Sequence, residues 1–497
     1  MTQLYLFDEQ PEKPKRTGAI PPVEKFQGAL LLSAIGDALG WPTEFLKAPN
    51  GHRLPFKLPI HDFVGWHKLV GGKWWGYDQY IEPGMYSDDT QLALAIARSI
   101  TDKGEFDTER FAYEELPLWL QYEQGGGRSV KTAARKLVGK NASWLNNFYR
   151  QDKLDYREAG ANGAAMRNLP IALSNVANEP KMIIDSFLNT IVTHGHPRAI
   201  LGTIVFALAV NYALTRQQIT VEDMQQYLHD QLSHIGKIIA TDDRIGSWIY
   251  QWNKSTQGTK TPFKQVFRNT YHELLGFLKA IQSHFSNDDM AYYAFVGALN
   301  PETKGSGLST VCCALYLFLK YLTEPVKALT VAANMYGSDT DTIAVFLGAL
   351  LGAYHGLSAI PKQWQEQVQD HDYIIETATR LHSIAAHEQQ NFKLFQKLSN
   401  RRDAYFRMLA WEIGLHEMFW DALGKGGVIV HPTLGRGTIV EKIEQPIKRE
   451  GYTVKLIHIQ FDSGQTCVFH SRVHNNEQVS ESLTQELVAA LQDDEVK

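Results

Sequence analysis

Between residues 25 and 385 the apolar positions come in long blocks rather than in alternation. FQGALLLSAIGDALG, DTQLALAIARSI, RAILGTIVFALAVNYALT, STVCCALYLFLKYL and DTIAVFLGALLGAYHG are each rich in Ala and Leu and long enough for several helical turns. In the second block Leu92, Ala95, Ile96 and Ser99 share one helical face, whereas several others are apolar around most of their circumference. A helix apolar all round must be buried on all sides, so the pattern predicts one large, single-core, all-α domain over 25–385. Residues 386–424 continue as helix, with aromatic and aliphatic residues set between charges as in an amphipathic connector. Gly424, Gly426 and Gly427 stop it. The period then falls to two: GVIVHPTLGRGTIVEKIE and YTVKLIHIQFDSGQTCVFH alternate β-branched residues around G-R-G and D-S-G turns. Five short strands fit in residues 426–475, so residues 425–478 are expected to form a small, all-β barrel. Residues 1–24, with four prolines, read as an arm or tail, and 479–497 as a solvated end.

Composition narrows this picture modestly. At 497 residues the chain is long for one ordinary core, although large helical cores use more chain. With 49 basic against 54 acidic residues, the net charge of −5 supplies no chain-wide basic field to hold nucleic acid. The opening MTQLYLFDEQPEKPKR has no basic flank followed by an apolar core, so it is not read as a signal peptide. Ala199 to Thr215 is uncharged but carries Asn211 and polar ends, and reads as a buried core helix. No membrane association is expected. Cys312 and Cys313, adjacent in an apolar run, read as buried small hydrophobes. A cytoplasmic protein is the expectation.

Two clusters carry candidate chemistry. Tyr86-Ser87-Asp88-Asp89-Thr90-Gln91 and Gly337-Ser338-Asp339-Thr340-Asp341-Thr342 each sit directly before an apolar helix. Capping accounts for one such cluster, because carboxylates and hydroxyls satisfy free N–H groups at a helix start. Two at buried helix starts are hard to attribute to capping alone. Together they supply anionic oxygens and hydroxyls but no thiolate, a set that suits a hard cation, Mg²⁺ or Mn²⁺, as a pair. Three further elements are weaker alone. Gly36-Asp37-Ala38-Leu39-Gly40 is followed by Pro42, which places Glu44 on the loop beyond the helix. Gly160-Ala161-Asn162-Gly163-Ala164-Ala165-Met166-Arg167 opens another helix with small residues and serves as a phosphate cradle or a plain turn. Thr193-His194-Gly195-His196-Pro197-Arg198 lacks the partners a zinc site needs, so His194 is a polar cleft group or a satisfied core histidine.

In order, G-D-x-L-G-x-x-x-E, P-G-x-x-S-D-D-T-Q, G-A-N-G-A-A-M-R, T-H-G-H-P-R-A and G-S-D-T-D-T resemble the ADP-ribosylglycohydrolase family over residues 26–360. The resemblance implies an all-α fold with two metal ions, usually Mg²⁺ or Mn²⁺, at the bottom of an ADP-ribose cleft. It implies metal ligation by Ser87, Asp88 and Asp89 in the first cluster and by Asp339, Asp341 and Thr342 in the second. Serine at the first position, often threonine in relatives, keeps the hydroxyl. Glu44 matches a glutamate that gates the cleft or acts as acid/base. Asn162, Gly163, Ala164 and Met166 fall in the loop that wraps the phosphates and distal ribose. His194 matches a substrate-side position, and Gly337 and Ser338 lie where the loop passes the ribose. The C-terminal pattern resembles SH3-like or Tudor-like modules, which implies a binding module for protein or nucleic acid, or a structural end-piece.

The implied reaction is hydrolysis of the bond between ADP-ribose and a modified macromolecule, an arginine-linked protein foremost, through an oxocarbenium-like transition state. Asp88, Asp89, Asp339 and Glu44 are the candidate catalytic carboxylates, accepting the attacking water's proton or protonating the departing group. Two other roles compete. One is an immunity protein that neutralises an ADP-ribosyltransferase toxin, with residues 1–24 as the occluding element. The other is a non-catalytic ADP-ribose-binding protein, which would have no need of two metal clusters.

Overall fold

The computed structural model describes residues 19–46, 55–71, 75–139, 141–151, 154–255, 260–388 and 424–474. Most of the expected arm (1–24), most of the expected connector (386–424) and the expected tail (479–497) lie outside the described residues. The helices that frame the site are α1 (Val23–Gly40), α2 (Asp88–Arg98), α3 (Pro197–Thr215), α4 (Gly307–Lys320) and α5 (Thr340–His355). Strands β1 (Trp66–Val70) and β2 (Tyr77–Ile81) form a hairpin, and β3 (Val428–His431), β4 (Gly435–Pro446), β5 (Tyr452–Phe461) and β6 (Thr466–His474) form a C-terminal sheet.

At the centre of the helical part, α1 runs antiparallel to α5 with almost nothing between the backbones. A Cβ on Gly352 would overlap the Gly28 carbonyl, one on Gly348 the Leu32 carbonyl, and one on Gly36 the Ala344 carbonyl. The small residues of the two sequence blocks therefore form one seam, and that seam brings the end of α1 against the start of α5. Thr340 Oγ1 donates to the Gly40 carbonyl at 2.9 Å, and Thr43 Oγ1 donates to the Ala333 carbonyl at 2.6 Å. Replacing Gly352 by Ala should lower the free energy of unfolding by about 3 kcal/mol, the upper range for overpacking, since backbone rather than a side chain must yield. An unchanged denaturant midpoint would contradict this seam.

Helix α3 is long and apolar enough to cross a bilayer, but every residue except Arg198 and Thr215 is buried, as a core helix requires. Cys312 and Cys313 are buried free thiols, as expected, and so is Cys467.

The C-terminal sheet departs from expectation. It has four antiparallel strands in the order β3-β4-β5-β6 and is not closed into a barrel. The reason lies in what covers it. Ile439, Ile457, Ile459, Phe461 and Phe469 join the same apolar core as the helices, while Val454, Leu456 and Val468 pack around Tyr77 of β2. A sheet whose apolar positions are already covered gains nothing from closing on itself. The β1–β2 hairpin, paired from Trp66↔Ile81 to Val70↔Tyr77, had no counterpart in the sequence reading.

Candidate active site

The two acidic clusters meet where α1 ends and α2 and α5 begin. Ser87 caps α2, its Oγ accepting from the Asp89 N–H at 3.2 Å. The loop before α2 is fixed by Asp37, a wholly buried carboxylate on α1. It accepts from the Ser87 N–H at 3.0 Å, the Thr90 N–H at 3.0 Å and the Thr90 hydroxyl at 2.6 Å. Burial raises its pKa to about 6 against the opposing pull of these donors. Asp37 lies inside a quoted motif, yet its role was missed. A lone aspartate inside an apolar helix must find donors, and that was the available signal.

Glu44, Asp339 and Asp341 each present a carboxylate oxygen within 4.8 Å of the others. Asp339 stands at the N-terminus of α5 but makes no capping bond; its Oδ2 accepts instead from Asn162 Nδ2 at 2.9 Å. Asp341 and Asp89 are pushed well up in pKa, first by burial and then by neighbouring carboxylates. Glu44 is raised to about 8, by burial and by Asp339, with Lys68 pulling the other way. Asp88 is raised by burial, offset by the Gly126 N–H and Lys68. Asp89 Oδ2 is buried without a hydrogen-bond partner. So many carboxylates facing one another, one with an orphaned oxygen, form a set that the single Lys68 ammonium does not balance. Oxygen-only donors at this spacing fit a hard divalent cation.

Of the remaining site residues, Thr342 lies in the cluster and hydrogen-bonds Asp89. Asn162 joins the centre directly, and its N–H donates to the Gly305 carbonyl at 2.9 Å. Gly163 passes so close to His194 that a Cβ would stand 3.0 Å from the ring's Cε1. His194 is buried, with Nδ1 2.7 Å from the Thr193 hydroxyl, and burial beside Arg167 drops its pKa to about 3. It is a neutral, satisfied histidine behind the loop. Arg167 anchors that loop, donating to the Gly163 carbonyl at 3.0 Å and to Asn189 Oδ1 at 2.8 Å. Ala164 and Met166 are buried wall residues, the Ala164 carbonyl being taken by Asn189 Nδ2 at 3.0 Å. Ser338 is buried and its hydroxyl donates to the Met335 carbonyl at 2.7 Å; the Gly337 N–H donates to the Leu46 carbonyl at 2.7 Å. Both hold the loop that leads into Asp339.

Two further neighbours stand at the centre. Gly125, at φ +141°, passes so near Asp88 that a Cβ would overlap its Oδ1, and the same Cβ would lie 3.5 Å from Lys68 Nζ. Lys68 reaches the centre from β1, its Nζ 4.3 Å from the centroid of the Trp41 ring.

The family model for ADP-ribosylglycohydrolases matches residues 20–391, and the chain belongs to that family. It is similar to ADP-ribosylhydrolase ARH3 of Xenopus tropicalis, 26% identical over 381 residues that cover 73% of this chain and 96% of that one. It is also similar to ADP-ribosylarginine hydrolase Tri1 of Serratia proteamaculans (22% identical, covering 77% of this chain and 87% of that one). A shorter match, 32% identical over 173 residues, covers 34% of this chain and 51% of the ADP-ribosyl-[dinitrogen reductase] glycohydrolase of Rhodospirillum rubrum. Among solved structures, an ADP-ribosylglycohydrolase-related protein complex aligns with a TM-score of 0.46 at 19% identity, over 73% of this chain and 98% of that one. The protein is thus an ADP-ribosylglycohydrolase, an enzyme of a family that removes ADP-ribose from modified macromolecules by hydrolysis.

Proposed function

We propose that the protein is a metal-dependent hydrolase that cuts the glycosidic bond between ADP-ribose and a modified protein side chain, arginine in the first place. The observation that carries this is the convergence of Glu44, Asp339 and Asp341 within 4.8 Å, beside the orphaned Asp89 oxygen. Ser87, Asp88, Asp89, Asp339, Asp341 and Thr342 would hold two Mg²⁺ or Mn²⁺ ions. When bound, such ions supply Lewis acidity, orient ribose hydroxyls and lower the pKa of water. The chain's own residues do the rest. Asn162 and the 160–166 loop bind the ADP-ribose side. Glu44, within 4.8 Å of Asp339 and Asp341, is placed to take up a proton and deliver it to the departing atom. Arginine is preferred because of the likeness to Tri1, whose name states that linkage. Release of free ADP-ribose from arginine-linked and serine-linked peptides, side by side, tests the linkage; release from the serine peptide alone would overturn the arginine reading.

The raised Glu44 pKa gives a pH dependence. A carboxyl that binds its proton more tightly in the folded chain stabilises the fold below its ordinary pKa of 4.5, and that contribution is lost as pH rises through about 8. Metal-free protein should therefore lose stability between about pH 5 and pH 8. A divalent ion replaces the proton, so Mn²⁺ should raise the melting temperature more at about pH 8 than at about pH 6. Equal metal-induced shifts at both pH values would contradict the cluster's assignment.

A further inference from the structure

The acidic centre lies between two walls. One is made of Asn162, Gly163 and the backbone near Gly305, small neutral groups packed on His194. The other is made of Trp41, Lys68 and Gly125, with the Glu123–Lys131 pair beyond. A substrate whose ADP-ribose half fills the first wall must send its other half out along the second. We propose that Lys68 is a substrate-positioning residue for this acceptor half, meeting an oxygen next to the modified side chain, and that the C-terminal sheet holds it in place. The proposal rests on the reading that this centre cleaves an ADP-ribose linkage.

Among the described residues, three ammonium groups surround the centre, and two are already used. Lys131 Nζ donates to Glu123 Oε1 at 3.1 Å and to the Gly125 carbonyl at 2.8 Å, and Lys304 Nζ donates to the Glu44 carbonyl at 3.3 Å. Among the described residues, Lys68 Nζ donates to no protein acceptor; it rests on the Trp41 ring at 4.3 Å. Trp41 is itself held edge-on by Trp66 of the same strand, with centroids 5.3 Å apart. Glu44, Asp88, Glu123 and Asp341 balance its charge through space, but none of them takes a hydrogen bond from it, so three donors are left for a ligand oxygen. A carbonyl or carboxylate of the modified protein is the chemistry that fits.

The hairpin behind Lys68 is clamped from the far side. Lys68 pairs across to Gln79, whose Nε2 donates to Gln124 Oε1 at 3.2 Å, next to Gly125. Toward the sheet, Arg472 Nε donates to the Trp75 carbonyl at 3.1 Å and Gln445 Nε2 to the Asp78 carbonyl at 2.7 Å. The Arg449 guanidinium stacks 4.2 Å from the Trp75 ring, and the Lys448 N–H donates to the Gly76 carbonyl at 3.1 Å. Tyr77 is buried among Val454, Leu456 and Val468. The strands contributed by the C-terminal segment thus fix one wall of the cleft rather than standing apart from it.

The test uses the full chain with Mn²⁺, an ADP-ribosyl-arginine peptide and free ADP-ribose. In Lys68→Met, KM for the peptide should rise roughly ten- to a hundredfold, the loss expected for a charged hydrogen bond to the acceptor half. The Kd for free ADP-ribose should stay within about twofold, and Lys68→Arg should restore most of the peptide affinity. Arg472→Met should raise the peptide KM in the same direction, by less. Weakened binding of free ADP-ribose would place Lys68 on the other half of the substrate and overturn the proposal; so would an equal fall of kcat on all substrates. If the wild type releases no ADP-ribose, the hydrolase reading fails separately. Peptide binding by fluorescence anisotropy then decides: equal affinity of wild type and Lys68→Met overturns the role of Lys68.

Discussion

Replacing Asp339 by alanine is expected to reduce ADP-ribose release roughly a thousandfold or more while leaving the protein folded. Asp339 sits at the start of α5, where a capping aspartate would normally cost stability when removed, but here its side chain makes no capping bond. Its structural stake is the bond from Asn162 Nδ2, 2.9 Å long, and a shared hydrogen bond with Asp341. Against that loss stands the removal of one negative charge from a cluster in which Glu44 and Asp341 are already forced up in pKa by their neighbours. The metal-free variant should melt at or slightly above the wild-type temperature, and the stabilisation given by Mn²⁺ should shrink sharply. Calorimetry with and without Mn²⁺, beside the rate, separates the two effects. A variant that melts far lower without metal would mean that Asp339 serves the fold, and a variant with near-normal rates would remove it from the centre.

The second large effect concerns the C-terminal segment. Deleting residues 424–497 is expected to leave no soluble, cooperatively folding protein. Ile429, Leu434, Ile439, Ile457, Ile459, Phe461, Cys467 and Phe469 share one apolar core with the helices, and burying such side chains stabilises by about 1.5–3 kcal/mol each. The sum is on the order of the whole stability of a typical domain. Polar losses add to it. Arg98, paired with Glu115 at 2.9 Å, would lose Gln465 Oε1 at 2.7 Å. Asp370, which accepts the Thr466 N–H at 3.0 Å, would keep only its bonds from Tyr86 and Gln369. A truncated protein that melts like the full chain and keeps its activity would show the sheet to be an accessory, as a freely appended binding module would be.

Much of the helical part was legible because burial on all sides leaves a signature in composition. A block such as DTIAVFLGALLGAYHG can be stable only inside a core, and α5 is buried there along nearly its whole length. Its glycines announced close packing, though not with which partner. The acidic clusters were legible one by one, since carboxylates before apolar helices are conspicuous. That Glu44, Asp89 and Asp339 converge followed from the family resemblance alone, because no local pattern encodes the approach of Asp89 and Asp339 across 250 residues (339 minus 89). The hairpin that carries Lys68 was not legible. WHKLV and YDQYI are each a single short period-two run, separated by glycines and tryptophans, and their stability comes from Trp41 on one side and the C-terminal sheet on the other. The β character of that segment was visible in the alternation of β-branched residues, but the alternation suggested five strands in a closed barrel where four form an open sheet, because closure depends on what covers the sheet, which alternation does not state.

Under the proposed function, the carboxylates of Glu44, Asp88, Asp89, Asp339 and Asp341 form a metal-dependent hydrolytic centre for ADP-ribose linkages. The most direct measurement is release of free ADP-ribose from an ADP-ribosyl-arginine peptide by the wild-type protein, with Mg²⁺ or Mn²⁺ and again with a chelator. Release that a chelator abolishes and added metal restores is the predicted result. Release at the same rate in the chelator would contradict the metal centre; no release from arginine- or serine-linked peptides, with ADP-ribose still bound, would contradict the hydrolase.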